Sequence, residues 1–290
     1  MVLTRSFVRA KRPCTDGFRW FVRQFGEGGD YQAMLDEMVA AGRVGDACWL
    51  LEQFGPTDEL RVVDAIEADA IVFAGTLEVR GGVDVDGVLR VGRSLLAGAG
   101  VRAGGEVHIG ADLRVEGSVR AEAGLQIGGD LRVGWGVDCA GELRCDGELR
   151  TGWDLRCGGR MRVAGNAYVG LDLQAEEGVR CAKGLQAGGD IQVENTLRAA
   201  QGIAAGGSIR SGMHLEAGWG IKAGGMIAAV GAIRAGESLA AGEAIRAGTG
   251  YGVFAGLDVQ MEAWEASARV SAPQRPEGLM SGWWAGPAPC

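Results

Sequence analysis

The chain has 290 residues, 47% of them hydrophobic, with 52 glycines, six prolines and seven cysteines. Its 29 basic and 37 acidic side chains give a net charge of −8, without the basic excess that a phosphate backbone demands. The glycines follow no G-X-Y period, which excludes collagen, and the apolar content excludes low-complexity disorder.

Residues 1–58 read as a helical head. Charges interrupt every apolar run of MVLTRSFVRAKRPC, so no signal peptide is expected, and no apolar run approaches the ~20 residues of a membrane helix. Phe18, Phe21, Val22 and Phe25 fall at helical spacing, as do Tyr31, Met34, Leu35, Met38 and Val39. Asp30 reads as an N-cap and Gly42 as a stop. A third helix is expected over Asp46–Phe54, ended by Gly55-Pro56, and Leu60 and Ile66 open irregular strands.

From Ala70 the chain divides into sixes: AIVFAG, TLEVRG, GVDVDG, VLRVGR. The frame runs without insertion to Met261, as 32 hexads, and 30 of them carry Ile, Leu, Val or Met at the second position. Ala167 and Tyr251 are the exceptions. The fourth position is always small or apolar, and 41 of the 52 glycines fall at positions five, six and one. Residues two apart share one face only in an extended chain. The glycines allow a sharp turn through positive φ or close backbone approach. Short strands separated by corners predict a mainly β fold, a parallel β-solenoid over residues 59–261. Three hexads close one triangular coil, which gives about 10–11 coils and a rod roughly 50 Å long at ~4.8 Å per coil. Position four is mostly Val, Ile or Cys before Val193 and Ala or Ser from Ala199 to Ala247, which predicts a narrower C-terminal interior. In the tail, residues 262–290, Ala263–Ser271 is expected to be extended, and SGWWAGPAPC to cap the rod or meet a partner.

The blocks GGDLRV, GGDIQV and GGSIRS resemble the G-D-I-x-A steps of bactofilins, bacterial polymer-forming β-helix proteins. That resemblance implies a right-handed triangular helix and a self-assembling structural polymer. The order of large and small residues is the reverse of that in left-handed hexapeptide acyltransferases and in pentapeptide-repeat proteins. Pro13–Phe21, PCTDGFRWF, is similar to a P-C-x-x-G-x-x-W-F head of uncharacterised bacterial and phage repeat proteins. It implies no activity.

The candidate chemistry is thin. Cys139, Cys145, Cys157 and Cys181 all occupy position four and read as small core hydrophobes rather than metal ligands. Cys14 and Cys48 are expected to pack in the head and Cys290 to be an exposed thiol; the odd count without C-x-x-C fits a reducing, cytoplasmic compartment. His108 and His214 have no inserted loop beside them, where solenoid acyltransferases and pectin-cleaving enzymes build their sites. Threonine ladders of the ice-binding kind and a phosphate loop are also missing from the pattern. No catalysis, cofactor or metal is expected.

Fourteen hexads carry Arg at position three. With three hexads per coil, Arg144, Arg162, Arg180 and Arg198 form one ladder, and Arg114, Arg132 and Arg150 another. Position-one acids, such as Asp112 before Arg114 and Glu142 before Arg144, predict a charge-paired, solvated face. Arg162, Arg180 and Arg198 lack such an acid in their own hexads and are candidates for an anionic or acidic-protein contact. Trp135 and Trp153 stack at one corner; Trp219, Met213, Trp283 and Trp284 complete the partner-binding candidates. The leading expectation is a cytoplasmic, non-catalytic scaffold for a protein partner, in one form toxin-neutralising, with no nucleic acid or membrane involved. The alternatives are the self-associating polymer and a DNA-mimic inhibitor.

Overall fold

The computed structural model describes residues 1–287; Cys290 lies outside them. Between Val83 and Ala241, three-residue strands recur every six residues, their first and third side chains buried and the central one turned outward. The strands stack as three parallel sheets of 13, 11 and 12 strands, here sheets 1, 2 and 3. Sheet 1 starts at Leu60–Val63, sheet 2 at Ile66–Ala68 and sheet 3 at Ile71–Phe73. The chain visits them in that order, and each residue pairs with one eighteen further on, as Leu113 with Leu131 and Leu131 with Leu149. The result is a parallel solenoid of about 12 turns. It exceeds the expected 10–11 because strands before Ala70 and in the tail extend the stack.

The interior is one continuous apolar column from Phe73 to Ala272. The corners are hydrogen bonded as well as the strands. Leu131 N–H donates to the Glu148 carbonyl one coil on (2.9 Å), and Gly134 N–H to the Val115 carbonyl one coil back (2.8 Å). Between Gly75 and Gly248 no glycine has positive φ. The glycines at positions five and six are required by close approach: a Cβ on Gly105 would lie 2.9 Å from the Gly87 carbonyl.

Position one carries a second backbone device. Asp112 Oδ1 accepts from Asp130 N–H (2.8 Å), and Asp130 Oδ1 from Glu148 N–H (2.8 Å). On sheet 2 the same step runs from Asp154 to Asp172, to Asp190, to Ser208 and to Met226. Asp112, Asp130, Asp172 and Asp190 occupy the space a side chain would need at position six of the next coil, where Gly129, Gly147, Gly189 and Gly207 stand. The G-G-D blocks are thus the trace of a side-chain-to-backbone ladder.

The head contains more than the expected helices. Val2–Thr4 pairs antiparallel with Gly28–Asp30, and α1 (Arg5–Ala10) precedes α2 (Thr15–Phe25), α3 (Tyr31–Ala40) and α4 (Val44–Phe54). Asp30 caps α3 through Ala33 N–H, and Gly42, at φ 71°, follows its end. Phe21, Tyr31, Met34, Leu35 and Leu50 form a core that also takes in Val72 and Ala74 of the first coil. Burial raises the Tyr31 phenol pKa, and its O–H donates to the Gly55 carbonyl (3.1 Å). Cys14 is exposed rather than packed: it is the N-cap of α2, its sulfur accepting from Gly17 N–H (3.2 Å). The head closes sheet 3 through Gln32, which is buried. Its amide oxygen accepts from Ala74 N–H (2.8 Å), and its nitrogen donates to the Val72 carbonyl (3.1 Å) and to Asp36 (2.7 Å).

The six-residue frame does not reach Met261. After Ile245–Arg246 the chain turns through Gly248–Gly250, with Gly250 at φ 81°. Val253 then pairs with Ile233, twenty residues back instead of eighteen, and Tyr251 and Leu257 point to solvent. Residues 261–271 are not extended throughout: a 3-10 turn at Met261–Ala263 and α5 (Trp264–Ser267) precede a strand at Arg269–Ser271. That strand and Trp283–Trp284 extend sheet 1, and Leu279–Ser281 extends sheet 3. Among the described residues no helix is long and apolar enough to cross a membrane.

Candidate interaction surfaces

Position six sits at a corner, so its residues stack in columns eighteen apart. After sheet 1 the column contains Trp135, Trp153 and Leu171. The two indoles lie parallel, 7° apart with centroids at 5.4 Å. Trp135 is 52% exposed, Trp153 54% and Leu171 50%. Leu171 escapes attention in the sequence because one leucine at a glycine position carries no signal until the coils are stacked. Met213 follows a sheet 2 strand and Trp219 a sheet 3 strand, so these exposed side chains stand at two other corners and do not join the ridge. Trp283 and Trp284 belong to the tail. Their indole N–H groups donate to the carbonyls of Glu265 (2.5 Å) and Ala272 (3.0 Å), which fixes the tail over the end of sheet 1.

The arginine ladders lie in register on two sheets. Arg114, Arg132 and Arg150 stack on sheet 1, where Arg150 also covers the Tyr168 ring at 4.9 Å. Arg144, Arg162, Arg180 and Arg198 stack on sheet 3. Their ion pairs depart from the expected pattern. Arg132 and Arg150 do use the position-one acids Asp130 and Glu148. Arg114 and Arg144 instead pair with Glu116 and Asp146, two residues on, while Glu142 reaches Arg162. Arg198 shares Glu216 with Arg234, each at 3.7 Å. Of the three arginines without a position-one acid in their own hexads, Arg162 and Arg198 reach acids of other coils, and only Arg180 has no carboxylate within 4.0 Å among the described residues.

The inward cysteines are packed against backbone. Cys139 and Cys157 occupy paired positions and both donate to the Gly141 carbonyl (3.5 and 3.3 Å). Burial pushes Cys145 up to about 11 and Cys181 up to about 12, away from thiolate chemistry. His108 faces outward from sheet 3, and burial, with Arg90 next, lowers its pKa. Its depressed folded-state value means that the unfolded chain takes up the proton first as pH falls. Stability is therefore lost on acidification below pH 6.5, the ordinary histidine value, and His108→Gln should flatten that part of a urea-midpoint profile. An unchanged profile would rule this linkage out.

The four helices of the head, its two-stranded sheet and Gln32 lie within residues 1–54, and the backbone groups that Gln32 bonds lie beyond them, at Val72 and Ala74. Residues 1–55 match the YdhT N-terminal domain. No curated protein and no solved structure matches the chain. The YdhT N-terminal domain match includes Pro13–Phe21 and ends before the first solenoid strand at Leu60. The ridge and both arginine ladders lie beyond it.

Proposed function

We propose that the chain is a non-catalytic scaffold that binds a protein partner through the Trp135–Trp153–Leu171 ridge. The observation that carries this reading is the half-exposed, pre-stacked indole pair with half-exposed Leu171 in the same column. Aromatic anchors of this kind dominate interface energetics, and their stacking lowers the entropy lost on docking. Burying roughly 100 Å² of each ring contributes about 5 kcal/mol at ~25 cal/mol per Å². The covered edge at the head favours partner binding over end-to-end growth of the bactofilin kind, since Gln32 occupies the first edge of sheet 3. Toxin neutralisation is one form the reading takes, and the partner's identity decides it.

The test is a photo-crosslinking side chain at Leu171, with a second at Gln186 on the sheet 1 face as control. The expected result in the native host is one discrete adduct from position 171, lost when Trp135 and Trp153 are both alanine. The same adduct from both positions, or none from 171, removes the ridge as the docking surface.

A further inference from the structure

The small net charge of the solenoid conceals a segregation by face. Between residues 70 and 249, counting each corner with the strand before it, sheet 2 carries ten acidic and five basic side chains, a net of −5. Sheet 3 carries five acidic and nine basic, a net of +4, and sheet 1 six and five, a net of −1. The surpluses lie side by side at one height. On sheet 2, Asp172, Glu176 and Glu194 flank the strands Leu173–Ala175 and Ile191–Val193 and have no cation within 4.0 Å among the described residues. On sheet 3, Arg180 at the centre of Val179–Cys181 and Lys183 after it have no carboxylate within that distance among the described residues. This side also has a groove of about 480 Å³ lined by Arg180, Arg198 and Arg234, with Glu216 and Asp258 among the residues between them.

We propose that copies of this chain associate side by side, the acidic sheet 2 of one against the basic sheet 3 of the next. The partner's chemistry is acidic with rows spaced ~4.8 Å apart, and sheet 2 of a second copy supplies both, because every face repeats at the strand spacing. The rows of opposite sign stand at the same height, so the rods align parallel without an axial shift. The contact is heterologous. Three equal sheets enclose corners of about 60°, so such contacts close into a ring of about six copies around the corner between sheets 2 and 3. Sheet 1 then faces outward. This inference does not depend on the ridge.

The experiment is sedimentation velocity on the full chain at about 100 μM in ~20 mM and ~500 mM salt, where the Debye lengths differ several-fold. At low salt the expected mass is that of about six chains of 30.1 kDa, and at high salt that of one. Two doubly reversed variants complete the test, Arg180→Glu/Arg198→Glu and Glu176→Arg/Glu194→Arg. Each alone is expected to stay monomeric with wild-type circular dichroism, because the first takes sheet 3 from +4 to 0 and the second takes sheet 2 from −5 to −1; an equimolar mixture is expected to associate, since the first keeps its acidic sheet 2 and the second its basic sheet 3. A wild-type monomer at low salt, assembly that survives either reversal, or a mixture that stays monomeric overturns the proposal. Open fibres in place of a ring overturn the closure.

Discussion

Gln32→Ala is expected to lower stability by about 3 kcal/mol and to make the chain aggregate at micromolar concentration. The Gln32 amide stands in for a neighbouring strand. It accepts from Ala74 N–H and donates to the Val72 carbonyl, and all three groups are buried. Alanine leaves both backbone groups without a partner, at ~1–3 kcal/mol each, and opens a parallel sheet edge. Gln24→Ala is the control: Gln24 also bonds a carboxylate, Glu37 (2.9 Å), but at an exposed site, and should cost under ~0.5 kcal/mol. Urea midpoints and light scattering read both effects. Equal shifts for the two variants would show that Gln32 does not close the edge.

The second large effect is a coupled one. A methyl group on Gly207 would fall inside hard contact with Asp190 Oδ1 and lie 3.1 Å from Asp190 Cγ. The carboxylate cannot move away freely, because it accepts from Ser208 N–H at 2.6 Å. Gly207→Ala should therefore cost about 2 kcal/mol, in the range of overpacking. Asp190→Ala should cost about 1 kcal/mol, since Ser208 N–H can turn to water. The double variant should be less destabilised than the sum by at least ~1 kcal/mol, because the next obstacle to the methyl is the Gly189 carbonyl carbon at 3.2 Å. Strict additivity in the double-mutant cycle would mean that Gly207 is selected by something other than the aspartate.

How much of this was legible in the sequence depends on which period is read. Leu131, Leu143 and Leu155 announce strands because burial repeats every six residues, and local alternation alone produces that pattern. The interaction surfaces repeat every eighteen. Asp172 and Arg180 are close in sequence yet lie on different faces, so counting charge along the chain averages them to near zero and hides both faces. The role of Asp190 was open to the same reading: its partner glycine stands at Gly207, a spacing that a search for ion pairs passes over. The tail was not legible. Val270 pairs with Leu239 across a turn and a short helix, and no periodic signal spans that interval.

The eighteen-residue coil also sets what insertions and deletions can do. Removing one whole coil keeps every downstream side chain on its own face and shortens the rod by ~4.8 Å. Removing a single hexad, for example residues 172–177, keeps the core equally intact, because positions two and four stay inward. It nevertheless turns everything downstream by one third of a revolution, so that Arg180 and Arg198 would continue the column of Asp138 and Arg156. Two moduli therefore govern the rod: the inward pattern is restored by any multiple of six residues, whereas a face is kept only by multiples of eighteen.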